Sequence, residues 1–135
     1  CFDSKNNNIV EEIRDLTNGG VDYAIDLAGV IQAMDTAYQI IRYGGSVVTA
    51  GLSPINTQFS FNHSDLVAQE KSILGSYMGS CVPVRDVPRF LNLYKQGRLP
   101  VDKLIDGKIT FDNLNEGFDK LSKGKVVRQI LMPNA

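Results

Sequence analysis

The sequence predicts an α/β fold built on a doubly wound parallel sheet, and three observations carry that reading. Apolar residues recur at helical spacing over residues 9–16 and 31–43. The runs VDYAIDLAG (21–29) and SVVTAG (46–51) read as strands. A glycine pair, Gly19-Gly20 and then Gly44-Gly45, stands between each helix and the strand that follows. The connection between the strands is long enough for a right-handed parallel crossover.

The first helix puts Ile9, Val10, Ile13 and Leu16 on one face, with Glu11, Glu12, Arg14 and Asp15 outward. The first strand alternates Val21, Tyr23, Ile25 and Leu27 with Asp22, Ala24, Asp26 and Ala28. Small alanines on the second face predict a strand covered by helices on both sides. The second helix, to Tyr43, buries Ala33, Ala37, Ile40 and Ile41, and Gly44-Gly45 stops it. After the loop SPINTQ, Phe59 and Phe61 suggest a short extended piece. SDLVAQEK (64–71) reads as a helix capped by Ser64, and SILGSYMG as a strand interrupted at Gly75. From Pro83 the chain turns helical, with Val87, Phe90, Leu91 and Tyr94 on one face and Gly97 at its end. ITF (109–111) is strand-like, and LNEGFDKL is a helix with Leu114, Phe118 and Leu121 inward and Asp112 or Asn113 as cap. VVRQILM (126–132) forms the last strand. Residues 1–80 and 81–135 are expected to form separate domains.

The composition narrows the function classes. Hydrophobic residues make up 43% of the 135 and charged residues 21%, the balance of a globular protein. A net charge of −1 gives no electrostatic footing for nucleic acid or for an anionic membrane surface. No apolar run is long enough to span a bilayer. The expectation is no nucleic-acid partner, no membrane partner and a cytoplasmic location, the two cysteines being too few for a disulfide framework. The first residue is Cys1 rather than Met, so the chain is not expected to begin at a native start.

Catalytic machinery is sparse. His63 is the one histidine, so neither a Ser/His/Asp set nor a His/Cys zinc cluster can be assembled within the chain. Asp22 and Asp26 share a strand face, yet acids there are more often solvated or capping than catalytic. No G-x-G-x-x-G loop occurs, so Asp26 is not the ribose-binding acid that follows such a loop. The strand ends are more informative. Leu27, Ala28 and Gly29 close one strand and Ala50, Gly51 and Leu52 the next. Small residues there either make tight turns or let a flat ligand approach the backbone.

GGVDYAIDLAG, RYGGSVVTAGL, KSILGSYMGS and the tail RLPVDKLIDGKITFDNLNEGFDKLSKGKVVRQILM, taken in that order, resemble the carboxyl-terminal part of a medium-chain zinc-dependent alcohol dehydrogenase. The tail pattern L-x-x-L-N-E-G-F-D-x-L-x-x-G-x-x-x-R is the most specific piece. The resemblance implies a partial Rossmann-like sheet plus a carboxyl-terminal segment that returns to a catalytic domain. It implies a parent that oxidises a small alcohol to an aldehyde, with NAD or NADP as hydride acceptor. Zinc is then held by residues outside this chain, and the isolated chain is inactive. By the same resemblance Leu27, Ala28 and Gly29 line the adenosine side of the cofactor, and Ala50, Gly51 and Leu52 meet the nicotinamide. Ser76, Tyr77 and Met78 hold the carboxamide, with Met78 standing where many relatives carry a bulkier aromatic. Arg128 reaches the pyrophosphate. Relatives also pair edge to edge, which implies a homodimer through residues 72–78. Two other readings stand beside this one: a zinc-independent quinone-reductase-like member of the superfamily, and a non-catalytic dimerisation module. Without a catalytic domain to cover it, the face of Val87, Phe90, Leu91 and Tyr94 needs another partner or stays exposed, and it is expected to fold back, pair across a dimer or be poorly ordered.

Overall fold

A computed structural model describes residues 1–3 and 6–133. Two compact units divide it, Cys1–Cys81 and the chain from Val82 on.

In the first unit α1 (Ile9–Leu16), β1 (Val21–Asp26), α2 (Ile31–Ile40), β2 (Ile41–Thr49), α3 (His63–Ala68) and β3 (Ser72–Gly75) follow one another. The three strands form one parallel sheet in the order β1-β2-β3. The predicted α/β parallel architecture is therefore the observed one.

The core lies on one face of that sheet. Ala24 of β1 pairs with Val47 of β2, which pairs with Ile73 of β3. Against this row pack Met34, Ala37 and Tyr38 of α2, then Ile41. The spacing 34, 37, 38, 41 is one helical stripe, so the buried set is shifted from the expected Ala33, Ala37, Ile40 and Ile41. Ile41 and Val47 have no exposed surface. Full burial of side chains of this size contributes about 1.5–3 kcal/mol each. Phe59, Leu66 and Ile73 close the edge of the cluster. Phe59 and Phe61 form no strand; their rings lie 6.1 and 6.0 Å from that of Tyr38.

Several boundaries differ from the expected ones for identifiable reasons. The second helix ends at Ile40 rather than Tyr43, because Ile41 is already extended (ψ 141°) and begins β2. Residues 42–45 then bulge: Val21 pairs with Ile41, but Tyr23 pairs with Ser46. Gly44 turns this bulge at φ 71°, and its N–H bonds the Gln69 carbonyl at 2.8 Å. The Gly-Gly pair thus shapes a bulge inside a strand rather than ending a helix. Arg42 reaches from the bulge to Asp22, Nε to Oδ1 at 2.6 Å. β1 ends at Asp26, and β3 ends at Gly75 and is followed by a 3₁₀ turn, Met78–Ser80. Helix α3 is capped by Asn62, whose side chain accepts the Ser64 N–H; Ser64 lies inside the helix. Leu16, expected inward, is exposed.

The other face of the sheet carries exposed apolar side chains. Tyr23, Ile25 and Leu74 are exposed, so β1 has a helix over its small-residue face only and not over both.

The second unit holds α4 (Pro83–Lys95), β4 (Gly107–Ile109), α5 (Leu114–Ser122) and β5 (Gln129–Leu131), with 3₁₀ turns at Val101–Leu104 and Phe111–Asn113. β4 and β5 pair in parallel, Gly107 with Gln129 and Ile109 with Leu131. The two strands are shorter than expected, and Phe111 opens a 3₁₀ turn rather than closing a strand. Neither Asp112 nor Asn113 caps α5 through its side chain. Phe118 and Leu121, expected inward, are exposed. Val87, Phe90, Leu91 and Tyr94 are exposed along the well-formed helix α4, so the expected fold-back that would cover them is not seen.

Candidate functional site

The carboxyl ends of β1 and β2 are locked together through their backbones. Beyond Asp26 the chain turns at Leu27–Gly29, and beyond Thr49 it turns at Ala50–Leu52. The Asp26 carbonyl accepts the N–H of Ala50 at 2.9 Å and of Gly51 at 3.2 Å. The Asp26 carboxylate binds both turns: Oδ1 accepts the Ala28 N–H at 2.9 Å, and Oδ2 accepts the Thr49 hydroxyl at 2.8 Å. Asp26 is buried, and both its carboxylate oxygens have partners, as burial of a charge requires. Ser53 donates its hydroxyl to the Gly29 carbonyl at 2.7 Å.

Two glycines make this lock possible. A Cβ on Gly51 would lie 2.1 Å from the Gly29 nitrogen, and one on Gly29 would lie 2.8 Å from the Leu52 carbonyl oxygen. Gly29 also sits at φ 67°. The glycines are therefore in contact with each other's backbone, and any side chain would force the two turns apart. Sequence reasoning weighed tight turns against ligand approach here; the geometry gives each glycine a packing reason of its own.

What the lock presents outward is apolar. Leu27 is 74% exposed and Leu52 is 83% exposed. Ser76 follows β3 at the same end of the sheet, its N–H bonded to the Thr49 carbonyl at 2.9 Å. Tyr77 and Met78, both exposed, come next. Nine of the ten expected cofactor residues (Leu27, Ala28, Gly29, Ala50, Gly51, Leu52, Ser76, Tyr77 and Met78) thus lie at one end of one sheet. Ala28 also lines a cavity of about 310 Å³ with Val30, Gln32, Ala33 and Thr36, at the start of α2.

The tenth, Arg128, belongs to the second unit. It precedes β5 and borders an apolar cleft of about 400 Å³, lined also by Ile109, Leu114, Phe118 and Leu121. The N–H of Arg128 donates to Oδ2 of Asp106 at 3.0 Å, and the N–H of Val127 donates to the same oxygen. The Asp106 N–H returns a bond to the Arg128 carbonyl at 2.8 Å. These bonds, from Arg128 first and Val127 second, hold the Asp106 carboxyl below its ordinary pKa.

Asp26, Thr49, Ser53 and Asp106 are the residues that sequence reasoning missed or set aside. One signal for Asp26 was available. An Asp that ends a strand before a small-residue turn readily bonds the N–H two positions on. Asp106 gave no such signal, because its partners lie some twenty residues away.

Among the described residues no group of three or more His, Cys, Asp or Glu side chains is placed to hold a metal. No helix of the described residues is long and apolar enough to cross a membrane.

A parallel sheet with crossover helices and strand ends cleared by glycine is a Rossmann-like arrangement. Residues 1–96 match the zinc-binding dehydrogenase family, and the chain belongs to that family. It is 32% identical over 127 residues to alcohol dehydrogenase 1 of Cenchrus americanus, covering 93% of this chain and 33% of that protein. It superposes on benzyl alcohol dehydrogenase from Acinetobacter calcoaceticus with a TM-score of 0.83 and 29% identity, covering 95% of this chain and 35% of that one. A zinc-binding dehydrogenase from Sinorhizobium meliloti, solved with NADP bound, matches with a TM-score of 0.68 and 26% identity over 87% of this chain and 33% of that one. The chain spans about a third of the length of the relatives it matches.

Proposed function

We propose that this chain serves as the carboxyl-terminal third of an NAD(P)-dependent alcohol dehydrogenase acting on a small alcohol or its aldehyde. The observation that carries the reading is the interlocked end of β1 and β2. It is rigid, free of side chains at its crossing point, and flanked by the exposed Leu27 and Leu52. That is a wall suited to a planar cofactor, within a family whose relatives are named for alcohol oxidation. The bound dinucleotide supplies the hydride acceptor.

The chain's own residues orient and shield it. Leu27, Ala28 and Gly29 line the adenosine side, and Ala50, Gly51 and Leu52 back the nicotinamide. Ser76 and Met78 offer backbone groups to its carboxamide, and Arg128 offers a cationic fork to the pyrophosphate. The described residues provide no zinc site, so in this reading the metal is held beyond this chain and the chain alone does not turn over alcohol. Replacing Arg128 by Ala in the full-length enzyme is expected to weaken cofactor binding by roughly 1–3 kcal/mol, the scale of hydrogen bonds to a charged group. Calorimetric titration with NADH and NADPH measures this, and an unchanged dissociation constant removes Arg128 from the site.

In the same reading β3 is the self-association edge, with Ser72–Met78 meeting a second copy as a homodimer. Supporting this, β3 is the last strand of its sheet and Leu74 is exposed upon it. An edge strand presents backbone donors and acceptors ready to pair. Light scattering of the purified chain is expected to give twice the chain mass, and a monomer at high concentration counts against the edge.

A further inference from the structure

Residues 126–128 connect the turn after α5 to β5 and belong to no helix or strand. The backbone hydrogen bonds found for Val127 and Arg128 in this stretch all run to one residue, Asp106. Its carboxylate accepts both N–H groups, and its own N–H donates to the Arg128 carbonyl at 2.8 Å. Asp106 itself leads directly into β4, whose first residue, Gly107, pairs with Gln129. The Arg128 backbone is thus held at the start of the β4-β5 pair by Asp106, through both its carboxylate and its own N–H.

The guanidinium of Arg128 makes no ion pair among the described residues. It is not spent on Asp106, whose carboxylate is already engaged by backbone donors. An arginine fork recognises two anionic oxygens only if its base is held in place, because the long side chain otherwise loses the advantage to entropy.

We propose that Asp106 is a positioning residue: by fixing the backbone of Arg128 it aims the guanidinium at an anionic ligand with paired oxygens, the pyrophosphate of a dinucleotide. This rests on the cofactor role given to Arg128 above. Both N–H groups go to the same oxygen, Oδ2. An asparagine can keep that acceptor through Oδ1 while giving up the carboxylate's charge.

The test is a double-mutant cycle in the full-length enzyme, with NADH and NADPH titrated by calorimetry at fixed salt. Arg128→Ala is expected to weaken the tighter of the two by tenfold or more, and Asp106→Ala by about tenfold. The double variant is expected to bind no worse than Arg128→Ala alone, within about twofold, since residues acting through one another are not additive. Asp106→Asn is expected to recover affinity to within about threefold of the unmodified enzyme. A purely structural Asp106 gives effects that multiply, and that result overturns the proposal. So does an Asp106→Ala enzyme with full affinity, or an Asp106→Asn enzyme as weak as Asp106→Ala. In each of those cases a loss in Arg128→Ala leaves the cofactor role of Arg128 standing. If Arg128→Ala binds normally, that role and the proposal fall together. Should Asp106→Ala not fold, Asp106→Ser runs the same cycle.

Discussion

The two units use their apolar residues in opposite ways. The first unit buries Ala24, Met34, Ala37, Tyr38, Ile41 and Val47 in one cluster. In the second unit, among the described residues, the buried positions are Asp86 and Gly117. Of its large apolar residues Val87, Phe90, Leu91, Tyr94, Phe118 and Leu121 are exposed, while Leu93, Ile109, Leu114 and Leu131 are half-buried. The first unit is therefore a core with an unfinished face. The second has no fully buried large apolar residue among those described; its β4-β5 pair carries the half-buried Ile109 and Leu131, with Leu114 of α5 half-buried as well. Burial is the dominant stabilising term in folding, so stability in this chain is concentrated before Val82.

The sharpest way to break that contrast is a truncation in each unit. Ile41→Ala removes a fully buried side chain and is expected to cost about 2–5 kcal/mol. Phe118→Ala removes a larger side chain that is 60% exposed, and its expected cost is within about 0.5 kcal/mol, as for surface positions generally. Urea unfolding of the isolated chain measures both. Equal losses would mean that the second unit is packed in solution as well as the first.

A smaller effect probes the locked strand ends. In Gly51→Ala the new methyl must displace the Gly29 backbone, which is not the far end of a flexible side chain. An expected cost of about 1–3 kcal/mol follows from overpacking. Gly75→Ala makes the control, since a Cβ there meets nothing within 4 Å. If the two substitutions cost the same, the interlock of the turns is not what constrains Gly51.

How much of this was legible beforehand depended on the range of the interaction. Local signals were read correctly in kind: periodicity marked α1 and α2, alternation marked β1, and Pro83 and Gly97 bracketed α4. Boundaries set by partners were not. Arg42-Tyr43-Gly44-Gly45 looks like a helix end followed by a stop. It is a bulge because β1 pairs Val21 with Ile41 and Tyr23 with Ser46. Tyr23 and Ile25 have the pattern of a buried strand face, yet both are exposed. The pattern is written for a covering layer, and residues alone do not say which segment provides it. At the candidate site Gly29 and Gly51 were visible as small residues at strand ends. Their mutual contact required the sheet register. Asp106 was invisible for the same reason, since only the parallel pairing of β4 with β5 brings it to Arg128.

That last contact carries the smallest of the effects, and it is read through pH. The folded pKa of the Asp106 carboxyl is lowered by the N–H groups of Arg128 and Val127. A depressed carboxylate contributes stability that is fully present above its unfolded pKa, about 3.9. That contribution is lost as pH falls through the lower folded value. The β4-β5 start is therefore expected to be insensitive to pH from neutrality to about pH 5 and to loosen only in the acid range below about pH 4. The amide proton shifts of Val127 and Arg128 should titrate together, with a midpoint below that of an ordinary aspartate. In Asp106→Asn the step should vanish while both amides remain protected, because the acceptor is kept and the titrating charge is gone. Independent midpoints for Val127 and Arg128 would mean that the two donors do not share one carboxylate oxygen in solution.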